Sequence, residues 1–191
     1  LIVPGNTSPA SGSMANLPTM PGRWSTRQPI RPVDRCEESL LEVVPRDRRV
    51  AFEMRKVIKA VFDEGSFFEM GKGYGRSQIT GLARLNGQTV GVWGNDCKFL
   101  AGSMTADGAH KARRFMELCE TFSFPIVTLV DEPGFMIGSQ AEREATIRHG
   151  TSAVLTAAMT TVPWAAVMVR RSFGVAQAAH YGPEAYVLAW P

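Results

Sequence analysis

Cysteine is scarce in this chain and poorly placed for bonding. Cys36, Cys97 and Cys119 form no C-x-x-C pair and leave an odd thiol, which argues against a disulfide framework and against a zinc site. Unpaired thiols of this kind point to a reducing compartment, the cytoplasm or another such as the mitochondrial matrix. Long apolar runs are also lacking, so no membrane span is expected. Charge of one sign is modest: the formal net charge is +3, with no dense Lys/Arg stripe interleaved with aromatics, and no nucleic-acid partner is expected. The basic runs Arg46–Arg49 and His110–Arg114 read as solvated helix faces. A phosphate loop is missing too. Gly71-Lys72-Gly73-Tyr74-Gly75 follows neither G-x-G-x-x-G nor G-x-x-x-x-G-K-[ST], and it reads as a mobile connector.

What is present suits one sizeable core with a tail: 191 residues, 45% of them hydrophobic and 20% charged. Residues 1–32 are rich in Pro, Gly, Ser, Thr and Asn without apolar periodicity, and read as a linker or interdomain segment. The opening Leu1-Ile2-Val3-Pro4-Gly5 has no initiator Met and no basic flank. At the other end Pro191 stops the chain as a strand finishes, so both ends read as cuts in a longer protein.

The most informative stretch runs from Phe122 to Gly138. Pro125 opens Ile126-Val127-Thr128-Leu129-Val130, a β-branched run that predicts a strand buried on both faces. Asp131 to Phe135 breaks it, and helical spacing resumes from about Ala141 to Thr161, where many alanines suggest close packing. The device then repeats. Pro163 opens Trp164 to Val169, Arg170-Arg171-Ser172-Phe173-Gly174 breaks it, and a helix is expected from Val175 to about Tyr181. Strand, glycine turn, helix leaves backbone N–H groups free to meet a ligand oxygen.

The rest is ordinary by comparison. A helix is predicted from about Arg48 to Asp63 with Asp47 as N-cap, then a short strand over Phe67–Met70. Asn86-Gly87, a dipeptide suited to a type I′ turn, joins strands at Ile79–Leu85 and Gln88–Trp93. A helix follows from Ala106 to Thr121, with Ala112, Phe115/Met116, Cys119 and Phe122 as its apolar stripe. A last strand covers Ala185–Ala189. The alternation implies an α/β fold with largely parallel strands and right-handed crossovers, and leaves several architectures open.

Six motifs then occur in one order and spacing: ARLNGQTVGVWGN (Ala83 to Asn95), KARRFMELCE (Lys111 to Glu120), FPIVTLVDEPGF (Phe124 to Phe135), IRHG (Ile147 to Gly150), VPWAAVMVRRSFGVA (Val162 to Ala176) and AYVLAWP (Ala185 to Pro191). Together they resemble the carboxyltransferase (beta) subunit of biotin-dependent acyl-CoA carboxylases, of the acetyl-CoA or propionyl-CoA type. The resemblance covers residues 33–191. It implies the ClpP/crotonase fold, a spiral of β-β-α units, and only the C-terminal, biotin-side half of a two-half enzyme, itself incomplete at its C-terminus.

The resemblance also implies a chemistry: carboxyl transfer from carboxybiotin, carried on a partner protein, to the α-carbon of a short acyl-CoA. Its implied partners are a biotin carboxylase, a biotin carboxyl carrier protein, and further copies of itself in a dimer-based assembly of up to a hexamer. By position, the backbone N–H groups of Val175 and Ala176 would hold the biotin ureido oxygen, while Gly134, Phe135 and Gly174 would line the cofactor site. Val175 stands where the family usually has glycine, and its β-branch is expected to restrict φ and narrow the slot. Glu132 replaces a more usual small residue. Since the resemblance gives the α-proton to released biotin, no catalytic side chain is required. His110, His149 and His180 therefore read as exposed or structural, with His180 the first candidate for an exception, and no metal is expected. Asp131 and Glu132, adjacent on a strand, point to opposite faces and make a poor acid–base pair.

Two alternatives stay open: the carboxyltransferase of a biotin-dependent decarboxylase, and a non-catalytic scaffold. Because the motifs cover only the biotin side, residues 1–191 alone are expected to show no decarboxylation of malonyl-CoA or methylmalonyl-CoA with free biotin as acceptor. Clear turnover by that chain would overturn the half-site assignment.

Overall fold

The structure, a computed structural model, describes residues 36–47 and 49–190. The linker expected over residues 1–32 lies outside them. A six-stranded sheet runs in chain order: β1 (Phe68–Met70), β2 (Gln78–Leu85), β3 (Gln88–Asn95), β4 (Ile126–Glu132), β5 (Trp164–Ser172) and β6 (Tyr186–Ala189). The first three strands pair antiparallel, and β3 to β6 pair parallel. Asn86 at φ 51° and Gly87 at φ 78° supply the two positive dihedrals that a type I′ turn needs, which sets the β2–β3 register.

Alternate residues of these strands face two cores. On one face Val92, Leu129 and Val169 pack with α2 (Met54–Val61), through Met54, Val57 and Ile58. On the other, Trp93, Ile126, Trp164 and Ala166 meet α3 (Ala106–Thr121) and α5 (Thr146–Met159). Short α1 (Leu40–Val43) and α4 (Ser139–Arg143) are the other α-helices among the described residues. Small side chains, Ala109 and Ala112 on α3 and Ala153 and Ala157 on α5, are fully buried where those two helices pack. Thr105 caps α3, its hydroxyl accepting the Gly108 N–H at 3.0 Å.

Several expected boundaries move, for physical reasons. The helix expected over Arg48–Asp63 is only Met54–Val61. Cys97 Sγ takes the Phe52 N–H and donates to the Phe52 carbonyl, and Arg170 Nη1 donates to Val50 O, so these backbone groups are not available to a helical ladder. Asp47 accepts the Arg49 N–H instead of capping that helix. The long helix expected after Ala141 divides at Ala145, whose φ of 54° ends α4 in the left-handed region before α5 begins. Phe122, expected on the α3 stripe, lies past the helix end, half exposed and stacked on Phe124. The Gly71–Gly75 connector is built of hydrogen-bonded turns, Tyr74 N–H to Gly71 O and Gln78 N–H to Gly75 O, with Gly75 packed against the α3 backbone.

One close approach ties helix to turn. Gly150 on α5 lies under the Phe135 ring, and a Cβ there would sit 2.1 Å from Phe135 Cε1. Gly150→Ala is expected to destabilise the fold by about 1–3 kcal/mol, the usual cost of overpacking. A shift of the denaturant midpoint at unchanged slope measures it. An unshifted midpoint would show that the ring moves aside freely.

Candidate functional site

β4 and β5 run side by side and parallel, so the turns that follow them lie together at one end of the sheet. The ladder pairs Val130 with Met168 and then Glu132 with Ser172, and the Phe173 N–H donates to Glu132 O at 3.0 Å. Gly134 at φ 124° and Gly174 at φ 65° make the two turns, in conformations that side chains disfavour. A Cβ added at either would meet no atom within 4 Å, so the space over both is open. Residues past Gly134 are held by Met104, whose N–H donates to Gly134 O at 3.1 Å and whose carbonyl accepts the Met136 N–H at 2.9 Å.

Both strands run further than their sequence suggested. Asp131, Glu132, Arg170, Arg171 and Ser172 are strand residues, not breakers. The reason is a buried charge cluster. Asp131, fully buried, accepts from Arg170 Nη2 at 2.8 Å and from Arg171 Nε at 2.8 Å and Nη2 at 2.9 Å. Burial pushes the Asp131 carboxyl up, but the Arg171 and Arg170 guanidiniums outweigh it and hold the group below its ordinary range. Each guanidinium also donates to a backbone carbonyl, Arg170 to Val50 O and Arg171 to Ala101 O, so both arginines are committed to the fold.

The sequence-proposed site residues fall in one region. After β5 the chain turns at Gly174 into a short 3-10 coil, Ala176–His180, in place of the expected helix from Val175 to Tyr181. The Ala178 N–H is the first to bond back, to Val175 O at 3.0 Å. The N–H groups of Val175 and Ala176 precede that ladder and take no part in it. Val175 sits at φ −73°, which valine adopts without strain, and its side chain is 66% exposed. The expected restriction of φ therefore does not arise. Ala176 is buried. Gly134 shares the region, but its N–H donates to Glu132 Oε1 at 2.9 Å. The Phe135 ring is engaged with Gly150.

A polar network lies beneath the turns and joins Glu132 to His180, the histidine expected as the first exception. Glu132 is fully buried, and its Oε2 accepts from Asn95 Nδ2 at 2.9 Å and His180 Nε2 at 3.2 Å. Asn95 is oriented by the Asp131 N–H, which donates to its Oδ1 at 3.0 Å. His180 stacks on Trp93 with ring centroids 4.0 Å apart, and Trp93 Nε1 donates to Gln78 Oε1 at 2.9 Å. What the sequence did not connect was the set of polar residues, Gln78, Asn95 and Glu132, at the ends of otherwise apolar strands. His110 and His149 lie apart from this, half-buried, with their ring centroids 4.0 Å apart and their planes tilted by 42° across α3 and α5. Among the described residues no His, Cys, Asp or Glu group is arranged to hold a metal, and no helix is long and apolar enough to cross a membrane.

Residues 11–191 match the family described as carboxyl transferase domain. A carboxylase of Bacillus subtilis, itself uncharacterised, is 38% identical over 172 residues, covering 88% of this chain and 34% of that protein. The propionyl-CoA carboxylase beta chain of Cereibacter sphaeroides is 37% identical over 87% of this chain and 34% of its own length. The chain thus spans about a third of the length of these relatives. Among solved structures, the beta subunit of geranyl-CoA carboxylase from P. aeruginosa superposes with a TM-score of 0.76 at 32% identity, covering 90% of this chain and 32% of that one. Transcarboxylase 12S, a hexamer solved with hydrolysed methylmalonyl-coenzyme A bound, gives a TM-score of 0.75 at 32% identity over 79% of this chain and 31% of that one.

Removing the negative charge at Asp131 leaves two guanidiniums facing a neutral partner. Asp131→Asn is expected to cost about 3–5 kcal/mol, the range for breaking a buried ion pair from one side. Acid should act in the same direction. Because the folded carboxyl titrates below its ordinary value of 3.8, its stabilisation is complete above that pH and is lost as pH falls through the lower folded value. Urea unfolding between pH 7 and pH 2.5 should show wild type converging on Asp131→Asn at the acid end. Parallel stability curves throughout would refute this role.

Proposed function

The chain belongs to the carboxyl transferase domain family and has its crotonase-like α/β fold, and on that premise we propose that it forms the biotin side of a carboxyltransferase in a biotin-dependent acyl-CoA carboxylase. The reaction is transfer of a carboxyl group from carboxybiotin to the α-carbon of an acyl-CoA. The observation that carries this reading is the pair of glycine turns at the ends of adjacent parallel strands. Open space lies over both glycines, and unladdered N–H groups begin the coil after one of them.

That arrangement fits a flat ureido ring carried in from a partner protein. Biotin supplies the carboxyl carrier and, on release, the base for the α-proton. This chain's residues would bind and orient it. Val175 and Ala176 would donate their N–H groups to the ureido oxygen, where negative charge develops, and Gly174 and Gly134 would admit the ring without a Cβ in its way. Fixed donors of this kind act because they need no reorganisation at the moment of reaction. The Gly134 N–H, held by Glu132, would serve the shape of the turn and not the oxyanion. Phe135 would support the turn from below by its packing on α5.

The partners follow from that chemistry: a biotin carboxylase, a biotin carboxyl carrier protein and an acyl-CoA gripped by a region outside this chain. The hexamer of the transcarboxylase 12S relative supports a dimer-based homo-oligomer. Cys97 and Cys119 are free and buried, and burial pushes the Cys119 thiol up to about 12, in keeping with a reducing compartment.

Val175→Pro tests the assignment. Proline fits φ −73° and removes the N–H, and a thermal melt checks that the variant folds with Gly174 before it at φ 65°. In the natural protein carrying this chain, kcat for carboxyl transfer is expected to fall about a hundred- to a thousandfold. A folded variant with near wild-type kcat would show that this turn is not the oxyanion site.

A further inference from the structure

We propose that Glu132 is a positioning residue for the biotin-side turns: its buried carboxylate holds the turn after β4 directly and the coil after β5 through His180. The proposal rests on the function assigned above to those turns, but its structural core does not. Three donors converge on the carboxylate from three parts of the chain. The Gly134 N–H reaches Oε1 from the turn after β4, Asn95 Nδ2 reaches Oε2 from the end of β3, and His180 Nε2 reaches Oε2 from the end of the 3-10 coil. The residue's own carbonyl accepts the Phe173 N–H from the turn after β5. Gly134 and the Phe173–His180 segment thus have a common anchor, and their separation is set through one residue.

The chemistry of the site calls for an acceptor at this position and nothing else. Asn95 cannot turn its amide round, because its Oδ1 is already taken by the Asp131 N–H. Its Nδ2 is therefore left to donate, to Glu132 Oε2 at 2.9 Å and to Gly102 O at 3.2 Å. His180 is fixed from two further sides, by its stack on Trp93 and by Thr128 Oγ1, which donates to His180 O at 2.9 Å. The other ring nitrogen, Nδ1, is buried without a hydrogen-bond partner among the described residues. Through its contact with Glu132 the His180 ring ties the far end of the coil that begins at Ala176. A side chain that both donates and accepts, such as glutamine, would satisfy Gly134 but turn an N–H toward Asn95.

The test uses the natural protein carrying this chain, assayed for carboxyl transfer and for amide exchange. Glu132→Gln is expected to lower kcat per folded enzyme about ten- to a hundredfold, as displacement of a positioned group does. KM for acyl-CoA should stay within about twofold, since that substrate is held elsewhere. Amides in peptides spanning 133–136 and 173–177 should exchange faster in the variant, a readout that needs no turnover. His180 supplies a second route if Glu132→Gln does not fold. His180→Gln keeps a side-chain N–H and loses the ring, whereas His180→Phe keeps the stack on Trp93 and loses the N–H. Positioning through the hydrogen bond requires the Gln variant to retain more kcat than the Phe variant, and mere core packing requires the reverse. A folded Glu132→Gln enzyme with wild-type kcat and exchange, or a Phe variant better than the Gln variant, overturns the proposal. Val175→Pro in the same assay separates the two ideas. If it is crippled while Glu132→Gln is intact, only the positioning role fails; if it is fully active, the assignment of the turn fails first.

Discussion

The arrangement depends on a single buried carboxylate carrying two arginines. Asp131 lies at the end of β4 with no solvent contact, and consecutive residues Arg170 and Arg171 of β5 both reach it. In a regular strand adjacent side chains point to opposite faces, so both could not do so. The ladder shows how they can. Between the pair Val130–Met168 and the pair Glu132–Ser172, β5 has three residues, Val169, Arg170 and Arg171, where β4 has only Asp131. This bulge bends β5 and turns both guanidiniums to the same partner. An isolated charge at that depth would cost several kcal/mol, and it is tolerated because hydrogen bonds from both arginines, including the Arg171 backbone N–H, satisfy it.

The consequences spread outward from that bulge. Arg170 extends past Asp131 to Val50 O and lies over the Phe52 ring, its guanidinium carbon 4.8 Å from the ring centroid. The segment before α2 is thereby held against the sheet. Arg171 reaches Ala101 O, next to the turn that leads to Met104, and Met104 pairs with the chain past Gly134. The cluster on one side of β4 thus steadies the turn whose other side Glu132 holds. Asp131 and Glu132 divide their work by the alternation of the strand: one bonds to the arginines of β5, the other to Asn95, His180 and the glycine turn.

The helical layer answers to the same geometry. Trp93, Trp164 and Phe115 are large, and alanines opposite them let α3 and α5 approach the sheet closely. Gly150 lets the Phe135 ring sit against α5, so the turn after β4 rests on the helix layer as well as on the strand ladder. Ala176 and Ala179 carry the 3-10 coil into that core, leaving Val175 at its outer edge. A turn so supported can keep its N–H groups directed without side chains from the turn itself.

Much of this was legible before any coordinates. Asn86-Gly87 specified its hairpin because few residues accept two positive φ values in succession. The helix from Ala106 to Thr121 has the expected bounds because cap and apolar spacing agree there. The motif order identified the family, and the two strand–glycine units located the candidate site. Tertiary structure alone decided the rest, because it depends on partners remote in sequence. Arg170 and Arg171 read locally as strand breakers, and only the bulge opposite Asp131 makes them strand residues. Phe52 read as a helix position until Cys97, on another element, took its N–H and its carbonyl. Glu132 stood out in sequence only as a departure from a usual small residue. Its three donors come from the end of β3, the turn after β4 and the coil after β5, a convergence that exists only once parallel pairing has laid those ends side by side.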